Sequence, residues 1–401
     1  MRVTSNLIFN QSAISMAKAN ERYLKVQEKI AEQSEIIRPS DDPNGAGQLL
    51  RYDADTKLLE QYEESMTLAT NALEYESVAL ESMNDTLGAI NVLMIQSQNG
   101  SYSQDDLDTI AGEMEDLLAS MADLMNSQDS NGKYIFAGTN ASSPAFSIGS
   151  DGRYKYDGNE SQINAQIGDN IYVATNDSGK KIFEDVWTRN TFSVTSGAAD
   201  FEFSISDQDT FDTFINDRYR ALVPSQNSFT LTTDGAGGYA VLDSGGGTLA
   251  SGTYQAGQPI TFNGMEFTLT GVPGSSIDFE LDQPTRDNVL NQVQEAINAL
   301  RDTSLTSEQR NEFIASAFTS IENTQTSMGT ASSSVGARIN TIDNRTEYSA
   351  SKKIFNQQAQ ENIGGLDVYK ATTELQLSES ALQASQLLFQ RVSSLSLFNS
   401  I

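Results

Sequence analysis

Residues 59–97, LEQYEESMTLATNALEYESVALESMNDTLGAINVLMIQS, carry the pattern that decides the fold. Twelve positions in this stretch follow one another at alternating spacings of three and four residues, and ten of them are apolar. The two exceptions are Glu76 and Ser97. A heptad seam of this length predicts one long helix that packs against an equally long partner.

Similar seams lie on both sides of this stretch. They comprise Phe9, Ser12, Met16, Ala19, Tyr23, Val26, Ile30 and Ile37; Leu107, Ile110, Met114, Leu117, Met121 and Leu124; Val289, Val293, Ala296 and Leu300; Ile314, Ala317, Ile321, Thr324, Met328, Ala331, Val335 and Ile342; and Val368, Ala371, Leu375, Leu382, Phe389 and Val392. Helix starts are predicted at the Asp42-Pro43 pair and at the capping boxes that begin at Ser103 and Thr306. Gly364-Gly365 predicts the break before the last helix.

The middle of the chain has a different composition. Five of the seven prolines and 17 of the 28 glycines lie between 144 and 284, and both residues favour turns over helix interiors. Period-two apolar runs predict strands at 201–205, 229–232, 260–262 and 267–270, and a hairpin at 146–156. We therefore predict an α+β fold in which long helices from both chain ends form a helical hairpin or coiled coil with an inserted antiparallel β domain.

This organisation predicts three domains. Residues 1–40 with 365–401 form a terminal coiled-coil domain, 41–143 with 285–364 form a helical bundle, and 144–284 form an outer β-rich insert. The net charge is −29, but residues 1–40 carry +2 and 365–401 carry −1. Near-neutral ends fit helices that pack closely, because burying uncompensated charge is costly.

The composition excludes several functions. The 401 residues include no cysteine and no histidine, which excludes thiol nucleophiles, Ser-His-Asp triads and thiolate or imidazole zinc sites. The strong negative charge argues against nucleic acid or an anionic membrane as a partner. No apolar run reaches the length of a signal peptide or a membrane span, so these rules alone predict a cytosolic protein.

Three motifs are better explained as structure than as chemistry. The segment 127–138 departs from a calcium loop at its first and twelfth positions, where Ser127 and Gly138 stand. The glycine runs at 235–238 and 245–247 do not open a helix, so they are not phosphate loops. Asp105, Asp106 and Asp108 suit the first turn of a helix. We therefore predict no enzyme, no cofactor and no metal site.

The two end seams need a partner, and the pattern leaves two alternatives. Either the ends pack within one chain as an ordinary helical bundle, or they join subunits. The residues proposed for assembly are those of the two end seams: Phe9, Met16, Tyr23, Val26, Ile30, Val368, Leu375, Leu382, Phe389 and Val392.

Several motifs together resemble the bacterial flagellin superfamily. They are MRVTS at 1–5, SDDP at 40–43, NGKYIFAG at 131–138, ALQAS at 381–385 and LSLF at 395–398. The segments 254–264 and 269–273 are similar to a β-hairpin found in hook-associated proteins. Within the superfamily the chain therefore resembles the branch that forms the junction between hook and filament.

The resemblance implies a structural protein that is exported unfolded, without a cleaved signal, by the flagellar type III export apparatus and an export chaperone. It implies an extracellular, homo-oligomeric ring between the first hook-associated protein and the flagellin filament. Terminal helices would pair as a coiled coil in that ring, with the β domain outside. Flagellin itself is the near alternative, and a secreted hydrolase is a distant one that would need a catalytic cluster.

Overall fold

The computed structural model describes residues 2–398 except residue 256, and it describes the side chains of residues 7–393 within that range. The described helices are α1 Arg2–Glu32, α2 Pro43–Ser97, α3 Gln104–Met125, α4 Gln208–Arg218, α5 Val289–Arg301, α6 Ser307–Gly364 and α7 Val368–Phe398. The predicted α+β class is confirmed, because long helices come from both ends of the chain and antiparallel sheets lie between them.

The strands fall in the central part of the sequence. They are β1 Phe146–Ile148, β2 Tyr154–Tyr156, β3 Asn164–Gly168, β4 Ile171–Ala174, β5 Val186–Trp187, β6 Phe192–Ser196, β7 Phe201–Ile205, β8 Ser228–Thr233, β9 Gly238–Asp243, β10 Thr248–Thr253, β11 Pro259–Phe262, β12 Met265–Leu269, β13 Ser276–Leu281 and β14 Arg286–Asp287. The two larger sheets have the orders β10-β9-β8-β13-β6 and β11-β12-β7, and both are antiparallel throughout.

The helix starts follow the predicted caps. The Asp42 carboxylate accepts a hydrogen bond from the Asn44 amide at 3.1 Å, and Pro43 occupies the first helical position of α2. Ser103 and Asp106 form a reciprocal capping box at the start of α3. Thr306 and Gln309 exchange the same pair of bonds at the start of α6.

The chain divides into two compact units. The first comprises residues up to 70, 165–173 and residues from 339 onward. In this unit the buried side chains of α2 and α6 face one another, and Lys352 donates to Asp55 at 2.7 Å. Tyr62 donates to Asp169 at 2.9 Å, in the turn between β3 and β4. The same unit contains the pair formed by α1 and α7.

The second unit comprises 71–164 and 174–338. Its larger core combines one face each of α2, α3, α5 and α6 with Phe136, Phe146 and Phe183. The rings of Phe136 and Phe183 meet edge to face, with centroids 5.5 Å apart. The hairpin of β1 and β2 and the segment around residue 183 therefore share the core of the helices.

A separate core holds the two larger sheets together. Phe211 and Phe214 of α4 pack with Phe229, Phe267 and other buried side chains of both sheets. The members of this core span residues 201–281. The ends of the segment that carries it meet at the pair of β5 and β14, where the Thr188 amide donates to the Thr285 carbonyl at 3.0 Å.

The predicted seams agree with the observed burial to different degrees. All twelve seam positions of α2 are buried, including Glu76 and Ser97, and the seams of α5 and α6 are buried throughout. On α3 the buried face moves from the predicted Leu117 and Leu124 to Leu118 and Met125. A straight helix of 3.6 residues per turn drifts away from a strict heptad, which explains the shift. Helix α4 was not predicted.

Candidate functional site

The terminal helices α1 and α7 pack antiparallel along a single seam. Every predicted seam position of α1 from Phe9 to Ile30 is half-buried. On α7, Ala371 is buried and the positions that follow it at spacings of three and four residues are half-buried, whereas Val368 is exposed. The rings of Phe9 and Phe389 lie 5.1 Å apart across this seam. The structure therefore brings the two predicted end seams together within one chain.

Two contacts determine the register of this pair. Phe9 meets Phe389 near one end, and Ser34 bridges Gly365 at the other. In the antiparallel register that these two contacts define, Leu375 lies at the level of Tyr23, and Leu382 lies at the level of Met16. The end seams alone would also allow Leu382 to lie beside Val26 and Ile30, and the observed register excludes this. The difference is about three helical turns, and an apolar pattern alone does not encode such a register.

A two-helix pair cannot bury apolar side chains on all of its faces. The exposed apolar side chains of the pair are Leu7, Ile8, Ile14 and Leu24 of α1, and Val368, Tyr369, Leu377, Leu387 and Leu388 of α7. Tyr369 is 90% exposed. Ile8 and Leu388 line one shared pocket, and adjoining exposed apolar side chains of this kind are typical of an interaction face. These side chains are candidates for contacts beyond the pair.

A basic stripe runs along α1 in an otherwise acidic chain. Lys18, Arg22, Lys25 and Lys29 line a groove of about 770 Å³ whose other wall is α7, including Glu374. Lys25 donates to Asp41 at 2.7 Å, and this hydrogen bond raises the pKa of Lys25 and lowers the pKa of Asp41. This stripe was not among the sequence-based predictions, although its spacing of four, three and four residues is visible in the sequence.

The segment that joins the pair to the long helices is closely packed. The Glu35 amide donates to the Gly364 carbonyl at 2.8 Å. A Cβ at Gly45 would lie 2.6 Å from the Ile36 side chain, and one at Gly364 would lie 2.9 Å from Leu49. Glycine at these positions therefore allows the chain segments to approach one another closely.

One buried ionisable cluster lies in the second unit. The Glu76 side chain is fully buried, and one of its oxygens accepts from the Asp177 amide at 3.1 Å. Arg338 donates to Asp177 at 2.7 Å. Burial, followed by the nearby Asp177 charge, raises the pKa of Glu76 to about 8. Glu76 therefore holds a proton at neutral pH while it occupies a core position.

The motifs that were interpreted as structural lie in structural positions. In the 127–138 segment, the Asp129 carboxylate accepts from the amides of Asn131 and Lys133, which forms a turn. The glycine runs form hairpin turns closed by Asp234 and Asp243. Within the described residues, no group of three or more acidic side chains is arranged to hold a metal ion. No described helix is long and apolar enough to cross a bilayer.

A known protein family matches the N-terminal third of the chain. Residues 3–141 match the bacterial flagellin N-terminal helical region. The chain is 26% identical over 199 residues to flagellar hook-associated protein 3 of Escherichia coli, a match that covers 50% of this chain and 62% of that relative. The match thus spans less than two thirds of this curated relative.

Two solved structures share the fold. The FlgL crystal structure from Xanthomonas campestris superposes with a TM-score of 0.58 at 25% identity, covering 77% of this chain and 99% of that one. Flagellar hook-associated protein-3 from Legionella pneumophila gives a TM-score of 0.61 at 22% identity, with coverages of 78% and 98%. These likenesses confirm the predicted resemblance to the flagellin superfamily and its hook-associated branch. None of these names is that of an enzyme.

Proposed function

We propose that this chain, which carries a flagellin-type N-terminal helical region, is a structural subunit of the bacterial flagellum. Its copies form the ring between the first hook-associated protein and the flagellin filament, and the terminal helices α1 and α7 join the subunits by coiled-coil packing. The observation that carries the proposal is the apolar surface of these two helices, which a single chain buries only in part.

The burial pattern supports assembly over an ordinary intramolecular bundle. On α2 the seam positions are buried, whereas the corresponding seam positions of α1 stop at half burial. Each apolar side chain that moves from half-exposed to buried contributes about 1 kcal/mol. Neighbouring copies in a ring would cover both the seam and the exposed leucines of α7. The gain is repeated around the ring, so a modest contribution from each side chain produces a stable assembly.

The charge distribution supports the same role. The terminal segments are close to neutral, while residues 41–364 carry a net charge of −30. Near-neutral terminal helices can pack together in the ring without electrostatic repulsion between copies. The acidic residues of the central part of the chain keep the outer surface of the ring soluble. This balance gives no support for nucleic acid or an inserted membrane segment as a partner.

The remaining partners follow from the likeness to hook-associated proteins. We infer that the chain reaches the outside of the cell through the flagellar type III export apparatus, assisted by an export chaperone, without a cleaved signal. The first hook-associated protein then lies on one side of the ring and flagellin on the other. The β-rich segment faces outward, and no catalytic activity is involved.

Flagellin itself is the alternative, because the matched N-terminal region is named for that protein. Two observations favour the junction role. The sequence relative and the solved structures described above are hook-associated proteins, and the central segment carries the hairpin of β11 and β12 that prompted the hook-associated resemblance.

Deleting the gene separates the two roles. Cells without the junction subunit should build hooks and release flagellin into the medium, and immunogold labelling of the parent strain should mark a single band beside the hook. In vitro, purified chain added to filament seeds should add only a limited layer. Labelling along the whole filament, or continued growth from the seeds, would instead identify a flagellin.

A further inference from the structure

The loop after α4 presents an apolar tip between two arginines. Leu222 is 97% exposed, and its neighbour Val223 is also exposed. Arg218 ends α4, and Arg220 follows two residues later, with both side chains in solvent. We refer to residues 218–223 as the tip. At this exposure Leu222 buries almost no apolar surface within its own chain, so its side chain is available to a partner.

The tip is anchored to the rest of the chain at Arg220. The buried Asn227 side chain accepts a hydrogen bond from the Arg220 amide at 2.7 Å, and it donates to the Arg220 carbonyl at 3.3 Å. These two hydrogen bonds restrain the loop backbone and leave the Leu222 side chain exposed. Because these bonds restrain the backbone at Arg220 before any partner binds, association loses less conformational entropy there.

The charge of the tip is opposite to that of its surroundings. Arg218 and Arg220 are the only basic residues between 190 and 283, a segment that carries 12 acidic residues. Placing both cations beside an exposed leucine creates a small surface that is apolar at its centre and basic at its edge. Such a surface fits a partner that is apolar at its centre and acidic at its edge.

A surface of that kind lies elsewhere on the same chain. A cleft of about 770 Å³ has four carboxylates around two aromatic rings. The residues that define this acidic cleft are Glu202, Glu266, Glu308, Glu312, Phe192 and Phe203. Phe203 is 41% exposed, so the apolar floor is open to solvent. Arg189 pairs with Glu312 at one edge of the cleft.

The tip and the cleft of one chain do not meet. The first residue of α4, Gln208, donates to the Asn190 carbonyl, next to the cleft residue Thr191. The tip follows the last residue of α4, which is 11 residues long, so the helix separates the two surfaces by about 15 Å along its axis. Each surface is therefore free to accept a second copy.

We propose that the tip of one subunit docks into the acidic cleft of the next subunit, with Leu222 against Phe203 and the two arginines among the cleft carboxylates. This inference rests on the proposed ring, because the second copy is the neighbouring subunit there. A head-to-tail contact requires two different, complementary patches, and the tip and the cleft supply them. The contact would fix the spacing of the outer segments around the ring.

Because the chain has no cysteine, introduced cysteines report this contact without background. The test chain carries Ala221→Cys beside Leu222 and Ser204→Cys in the cleft, both at exposed positions. It replaces the parental chain in cells, and isolated flagella are treated with an oxidant or a short bismaleimide. We expect a ladder of covalent oligomers on a denaturing gel. Chains with only one of the two cysteines should remain monomeric.

Charge reversal tests whether the proposed chemistry holds the contact. Adding Arg218→Glu and Arg220→Glu to the test chain should reduce the ladder at least about tenfold, and further adding Glu202→Lys and Glu266→Lys should restore it. The control adds Ser251→Glu and Thr253→Glu, which place negative charge on the exposed edge strand β10 and should leave the ladder unchanged. Circular dichroism confirms that each variant folds.

Three results would overturn the inference. The first is a ladder whose intensity is unchanged by the charge reversal. The second is dimer formation by the chain that carries only Ala221→Cys. The third is a test chain that enters the flagella but forms no cross-link. The last result leaves the proposed function intact, because the subunit is present. Absence of the parental chain from isolated flagella would instead remove the proposed function, and this contact with it.

Discussion

Glu76→Gln should stabilise the second unit in a pH-dependent manner. Glu76 is fully buried at a seam position of α2, and its pKa rises from 4.5 to about 8 because of burial and then the Asp177 charge. In the unfolded chain this carboxyl ionises near its ordinary pKa. Between these two values the folded state keeps a proton that the unfolded state releases, so folding becomes less favourable as the pH rises.

The size of the effect follows from the shift. Each pH unit between 4.5 and 8 lowers the unfolding free energy of the parental chain by about 1.4 kcal/mol. By pH 7 the parental chain is therefore about 3 kcal/mol less stable than a chain with a neutral side chain at this position. Glutamine keeps the oxygen that accepts from the Asp177 amide, and its NH₂ group can donate to the Asp177 carboxylate, where one oxygen is without a hydrogen bond. Little packing changes, because glutamine and glutamate have the same shape.

The assay is denaturant unfolding followed by circular dichroism at half-unit steps from pH 4.5 to 8. The difference in unfolding free energy between Glu76→Gln and the parent should start near zero and grow with pH. The matched control is Glu74→Gln, an exposed position on the same helix, which should follow the parent throughout. A difference that does not change with pH, or a variant less stable than the parent at pH 7.5, would show that Glu76 is not held protonated in the folded chain.

Two further predictions concern the ends and the central segment. Limited proteolysis of the purified monomer should trim residues 1–40 and 365–401 before the rest, because their seam is only half-buried and a helix depends on tertiary packing for its stability. Ends as resistant as the remainder of the chain would contradict this. Replacing 190–283 with a short Gly/Ser linker should keep the helical circular dichroism signal, because Thr188 and Thr285 are hydrogen-bonded to each other and a short linker can join them. Loss of that signal would show that the segment is required for folding.

The helical part of the fold was predictable because its information is local. Alternating spacings of three and four residues identified the buried face of α2, and even the polar exception at Glu76 proved to be buried. Caps such as that of Ser103 fixed the helix starts within one residue. These signals depend on neighbours within a turn or two of the same helix, which the sequence contains directly.

The sequence predicted that the β-rich segment contains strands, but it did not predict which strands pair with one another. β6 pairs with β13, which lies some 80 residues later in the chain, and no local pattern specifies that choice. Helix α4 was missed because three of its 11 residues are aspartate and only three are strongly apolar. Its burial comes from tertiary packing of Phe211 and Phe214, and such packing overrides propensity.

The candidate site shows the same division. The residues of the end seams were identified by periodicity, but the register that sets Leu382 beside Met16 was not, because either helix can slide by a turn and keep an apolar face inward. The basic stripe from Lys18 to Lys29 has helical spacing in the sequence, but the groove that it lines exists only where α7 packs beside α1. The acidic cleft joins residues more than 100 positions apart, so only the structure brings them together.

We propose that α1 and α7 join subunits, and the substitution Leu382→Asp tests this proposal. The side chain lies on the α7 seam, and an unpaired carboxylate buried there in the ring costs several kcal/mol in every subunit. The monomer should be much less affected, because the seam is half-exposed and at the end of the chain. Its melting temperature should stay within about 2 °C of the parent, whereas an ordinary intramolecular bundle would lose several degrees.

The most direct measurement is the number of filaments per cell, counted by electron microscopy, in strains that carry Leu382→Asp or the neighbouring control Gln383→Asp. Gln383 is exposed and already polar. We expect hooks without filaments and flagellin in the medium for Leu382→Asp, with normal filaments for the control. Normal filaments on the Leu382→Asp cells would contradict it.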